Sequence, residues 1–134
     1  MLGLADIKDW LKTLDMGADR YYVGRLNTKP DKAIGIYSRE QGSGKSRIPI
    51  GGRKNKTYEE KAVSILIHWN NNSRETEEAA FSLYKKLAAI EGEFDIRETH
   101  VKYIRLMTKE PVDVGTDEKG VYERVIWIDF IYEL

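Results

Sequence analysis

The residues that most suggest chemistry are Gly42-Ser43-Gly44-Lys45-Ser46, a glycine-rich run ending in a lysine and a hydroxyl. Such a run binds nucleotide phosphates when its backbone N–H groups form a concave cradle, its lysine reaches the terminal phosphates and a helix begins at the hydroxyl residue. The pattern requires another glycine five positions before Gly44, and that position holds Arg39. The run is followed by Arg47-Ile48-Pro49-Ile50-Gly51-Gly52, whose proline and glycines do not open a helix. A basic loop is the better reading. Residues 40–57 carry Lys45, Arg47, Arg53, Lys54 and Lys56 against the single acid Glu40. These cations suit a phosphate backbone, an acidic protein surface or plain solvation, and no aromatic side chain is interleaved to stack on bases.

Other reactive groups form no constellation. The chain has no cysteine, which excludes disulfides, thiolate metal sites and cysteine nucleophiles. His68 and His100 stand 32 positions apart, without metal-ligand spacing, and no cofactor is implied. His68 falls in an apolar strand and reads as a satisfied sheet histidine. No serine stands in a G-x-S-x-G nucleophile motif. Asp6 and Asp9 are explained by the start of a helix, where the dipole favours acids. Asp129 alternates with Trp127 and Ile131, so it lies on a partly buried face and needs a cationic partner. A salt bridge, including one across a subunit interface, suits it better than catalysis. Trp127 on the same face is the preferred interface residue, because tryptophan is enriched where proteins meet.

Residues 4–14 place Leu4, Ile7, Leu11 and Leu14 at helical spacing, with Gly17 as a stop. Residues 20–27 and 32–39 read as two strands linked through Thr28-Lys29-Pro30-Asp31. Within the basic loop, the Arg47–Ile50 piece is a candidate extra strand. Residues 59–69 form a central strand, apolar on both faces and so buried on both. Asn70-Asn71-Asn72 ends it, Ser73 is a candidate cap, and residues 74–90 form the long helix with Ala79, Ala80, Leu83, Tyr84, Leu87 and Ile90 inward. Phe94 and Ile96 suit a short strand. Residues 101–114 and 121–132 form a closing hairpin across the turn at 115–120. In the last strand the even residues Ile126, Ile128, Phe130 and Tyr132 face the core, and the odd residues face away. The expected fold is α+β, a mostly antiparallel twisted sheet packed against one long and one short helix.

At 134 residues, one domain spanning 1–134 with a flexible loop at 40–57 is expected, with no tail after the last strand. No apolar run approaches the roughly 20 residues of a membrane helix, and MLGLADIKDW lacks the basic start of a signal peptide. Net charge is zero, which argues against a dedicated nucleic-acid binder. The charge is uneven: residues 1–70 hold 13 bases and 8 acids, residues 71–134 hold 9 and 14. Opposite patches of this kind suit contacts between neighbouring subunits.

This layout resembles the small tail-terminator proteins of long-tailed bacteriophages, also described as minor capsid or tail completion proteins. The resemblance rests on the short first helix, PDKAIGIYSREQGSG at 30–44, the strand-then-helix unit at 60–90 and ERVIWIDFIYEL at 123–134. It implies a non-enzymatic virion protein, assembled in the host bacterial cytoplasm, that forms a hexameric ring on the tail tube and docks to the head connector or neck. A connector subunit and an accessory nucleic-acid module using the basic loop are the alternatives. It implies no catalytic residue, and it leaves open whether the basic loop lies near the DNA path.

Overall fold

The computed structural model describes residues 1–24, 32–39 and 48–134. The proposed link at residues 28–31 and the Gly42–Ser46 run lie outside them. Among the described residues, seven strands form one sheet: β1 (Arg20–Val23), β2 (Ala33–Ser38), β3 (Tyr58–His68), β4 (Phe94–Ile96), β5 (Thr99–Leu106), β6 (Val112–Thr116) and β7 (Tyr122–Glu133). Two helices, α1 (Leu4–Lys12) and α2 (Ser73–Ala88), accompany it. The sheet order is β1-β2-β3-β7-β5-β4, with β6 also paired to β7. This is the expected α+β fold. The sheet is twisted and antiparallel except for β1 and β2, which run parallel.

β7 lies at the centre of the sheet. Its whole length pairs with β3, from Glu133 opposite Tyr58 to Glu123 opposite His68. Its other edge is shared: β5 takes Ile128–Tyr132 and β6 takes Tyr122–Val125. The expected strand at 101–114 is therefore two strands, parted near Pro111, which has no N–H for a ladder. The closing hairpin is β6 with β7, and β5 continues the same edge. Both short strands carry irregularities, between Val101 and Tyr103 and between Asp113 and Gly115, the latter with Gly115 at φ +87°.

Alternation decides which side is core. Val63, Ile65 and Ile67 of β3 lie beside Ile128, Ile126 and Arg124 of β7, and Ile36 and Ile34 of β2 lie beside Ile65 and Ile67. The isoleucines, with Phe130 and Tyr132, form one cluster with Leu2, Ile7 and Leu11 from the α1 end and Ala80, Leu83 and Leu87 from α2. Each such fully buried aliphatic side chain contributes about 1.5–3 kcal/mol relative to exposure. Both helices thus cover the same side. Trp10 of α1 stacks on Phe94 of β4 at 5.2 Å and meets Phe130 edge-on at 5.7 Å. Because α1 also packs on β1 and β2, at the other end of the strand order, the sheet curls around this helix.

Asn72, not Ser73, caps α2: its side-chain oxygen accepts from the N–H groups of Arg74 and Glu75 at 3.0 and 3.2 Å. Lys86 ties α2 to the end of α1 by donating to the Leu14 and Asp15 carbonyls at 2.7 and 3.2 Å. Asp6 and Asp9 share one partner, Arg97, at 3.1 and 3.2 Å.

Candidate interaction surface on the open sheet face

The opposite side of the sheet has no helix on it among the described residues. Register places Tyr22, Ala33, Gly35, Tyr37 and Arg39 there from β1, β2 and its continuation, and Glu60, Ala62, Ser64, Leu66 and His68 from β3. β7 contributes Glu123, Val125, Trp127, Asp129 and Ile131, and β5 contributes Tyr103 and Arg105. The face covers itself in part with long side chains. Tyr22 lies across Gly35, where a Cβ would strike its ring, and meets Tyr37 edge-on at 6.5 Å. Burial, and next the neighbouring Tyr37 hydroxyl, raises the Tyr22 hydroxyl far above its ordinary pKa.

Asp129 sits in the middle of this face, 2% exposed. Arg105 Nη2 donates to its Oδ2 at 2.8 Å, and Arg39 Nη2 donates to Oδ1. Arg105 also lies 3.6 Å from Glu60. The hydrogen bond to Asp129 raises the Arg105 pKa. The cationic partner expected for Asp129 is thus supplied twice from within the chain. Sequence reasoning missed both arginines, because a buried acid announces that cations surround it without saying which strands flank it.

His68 is fully buried at the other end of β3. Its Nδ1 lies 3.0 Å from Glu123 Oε2, while Nε2 has no hydrogen bond among the described residues and Asp117 Oδ2 is 3.7 Å away. The expected satisfied histidine is satisfied on one nitrogen. Around these polar groups the surface is aromatic and apolar: Trp127 is 37% exposed, Tyr103 50% and Tyr58 41%. Val112 and Val125, paired across β6 and β7, are half-buried beside Trp127. Tryptophan and tyrosine are enriched at protein-binding surfaces, and here they stand exposed around the buried polar groups.

The basic loop is described from residue 48. Lys45 and Arg47 lie outside the described residues. Arg53 and Lys54 stand exposed in a 3-10 turn, Arg53–Asn55. Lys56 donates to Glu59 at 2.7 Å and holds that carboxyl below its usual range. So two of the five cations share one exposed turn and a third is engaged within the chain. The candidate strand beginning at Arg47 is not formed over residues 48–50. Between Ile48 and β3 the described residues form the single 3-10 turn and no α-helix, so the helix a phosphate cradle requires is missing there.

The described residues hold no group of histidines and carboxylates arranged to bind a metal ion. Among the described residues no helix is long and apolar enough to cross a membrane. A comparison with curated proteins finds no match to the chain. A family model described as bacteriophage tail terminator protein matches residues 5–134.

Proposed function

Since the chain belongs to the bacteriophage tail terminator family, it is a non-enzymatic structural component of the phage tail, and we propose that it works as a hexameric ring that ends the tail tube and docks it to the head connector or neck. In this reading residues 1–134 act as one domain, assembled in the cytoplasm of the infected bacterium and retained in the virion. The observation that carries it is the uncovered Trp127 next to the doubly paired Asp129. A ring needs head-to-tail contacts, in which two different patches of one subunit complement each other. Trp127 supplies an apolar anchor for one patch. Asp129 fixes Arg39 and Arg105 beside it, so that the strands at this face hold their shape when a neighbour removes water.

Ending a tube is a matter of geometry and blocked addition, and it asks no chemistry of the subunit. The test is to mix the purified protein with tail tubes and record the mass of the free protein and its position on the tubes. A closed oligomer seated at one tube end supports the reading. A protein that stays monomeric and never binds tubes refutes it. Binding only to the connector, with no tube contact, assigns the chain to the neck instead.

A further inference from the structure

We propose that His68 is an acid-closed latch: when its ring takes up a second proton, Nε2 binds Asp117 and fastens the turn between β6 and β7 to β3. A fully buried imidazole stands here between two carboxylates, with Glu123 3.0 Å from Nδ1 and Asp117 3.7 Å from Nε2. An ionised carboxylate only accepts, so the short contact to Glu123 puts a proton on Nδ1. In the neutral ring Nε2 is then a bare acceptor. It faces another acceptor across a gap too long for a hydrogen bond, and it is buried with no hydrogen bond among the described residues. Proton uptake turns Nε2 into a donor facing Asp117. The charged ring is thus the form that both carboxylates can bind, and the neutral ring the form that leaves one nitrogen unsatisfied.

Asp117 carries the effect to the backbone. Its Oδ1 accepts from the N–H groups of Lys119 and Val121 at 2.8 and 3.0 Å. Its own N–H donates to the Val121 carbonyl at 2.9 Å, and its carbonyl accepts from Gly120 N–H at 3.1 Å. Oδ2 is the oxygen that faces His68. One carboxylate therefore holds the turn together through one oxygen and fastens it to the sheet through the other once Nε2 carries a proton. Charged groups on the neighbouring elements frame the pair. Register sets Arg20 of β1 in the same cross-strand row, beyond Ala33, and its side chain is exposed. Lys32, just before β2, lies 6.0 Å from the centre of the Trp69 ring. The Tyr22 hydroxyl is close enough to Glu123 to feel its charge. Arg124 of β7 lies 3.4 Å from Glu77 of α2, and Glu118 and Lys119 of the turn are exposed.

The test is NMR on the full chain labelled with nitrogen-15. The two histidines give two sets of ring signals, and His100→Gln assigns them. At about pH 8.5 the His68 ring is expected as the Nδ1–H tautomer; at about pH 5.5, still above the ordinary carboxylate range, both nitrogens should be protonated. Between the two conditions the exchange protection of the Lys119 and Val121 amides, corrected for the intrinsic rate at each pH, is expected to rise about tenfold in acid. His100→Gln should keep that rise, and His68→Asn, which retains a donor toward Glu123, should abolish it. Asp117→Asn keeps an oxygen for the turn amides but presents N–H to His68, so the neutral ring becomes the better partner and protection should be higher at the higher pH. That variant carries the test should His68→Asn misfold. A His68 ring in the same protonation state under both conditions overturns the latch. So do native turn amides whose protection does not change, or an Asp117→Asn chain that still tightens in acid.

Discussion

Asp129 and Arg105, neighbours across β7 and β5, are joined by a 2.8 Å charge-assisted hydrogen bond, and Arg39 closes on the other carboxylate oxygen from beyond β2. One acid therefore clamps three strands of the sheet on the side that carries no helix among the described residues. Asp129→Asn removes the charge and leaves two guanidiniums facing each other, at an expected cost of about 2–4 kcal/mol, read by urea unfolding. Arg105→Ala is expected to cost no more than about 1 kcal/mol, because Arg105 is 43% exposed and solvent screens its pairing. Equal losses for the two variants would contradict this division.

Gly35 lies under the Tyr22 ring with an ordinary backbone, so the requirement for glycine is one of space. Gly35→Ala is expected to push Tyr22 off the sheet and cost about 1–3 kcal/mol. Tyr22→Ala should remove most of the additional penalty when combined with Gly35→Ala. A double variant as unstable as the sum of the two single variants would show that the pair does not interact.

The cap of α2 separates two adjacent residues. Asn72→Ala is expected to cost about 1 kcal/mol, and Ser73→Ala close to nothing. Thermal melts of the two variants check this. A larger effect at Ser73 would restore the cap that its position in the sequence first suggests.

His100 reports the β4–β5 edge. Its Nδ1 lies 2.6 Å from Asp95 Oδ1, its register partner, and Nε2 lies 3.5 Å from Glu93. Hydrogen bonding to Asp95, then the Glu93 contact, raises its pKa above the ordinary 6.5. Its protonated form thus favours the folded state. The gain is complete below about pH 6.5, the unfolded value, and is lost as pH rises through the higher folded value. An NMR titration should place the His100 midpoint above 6.5 and show it falling in Asp95→Asn. An unshifted midpoint would refute the contact in solution.

Much of this arrangement was legible in the residues. The two-residue alternation of 121–132 placed Ile126, Ile128, Phe130 and Tyr132 inward, because a sheet covered by helices on one side imposes that period; the strand at 59–69 read as apolar on both faces, and Val63, Ile65 and Ile67 on one side and Ala62, Leu66 and His68 on the other are indeed buried. The 3.6-residue spacing of Ala80, Leu83 and Leu87 did the same for α2. Pairing was less legible. The parallel partnership of β1 with β2, the sharing of one β7 edge by β5 and β6, and the convergence of Arg39 and Arg105 on Asp129 all depend on long-range register, which local propensity does not encode. The Arg47–Ile50 piece read as a candidate strand, whereas Ile48 and Ile50 stand exposed at a turn whose hydrogen bonds are local.

The central claim is a ring at the tube end that uses the open face, and electron microscopy of tail tubes incubated with native protein or Trp127→Glu tests it most directly. Trp127 is already half in water, so the charge should leave the fold intact, as a thermal melt of the free variant would verify. A ring of six subunits seated at one end of tubes is expected with the native protein, and bare ends with Trp127→Glu. Normal capping by Trp127→Glu, or bare ends with the native chain, would contradict it.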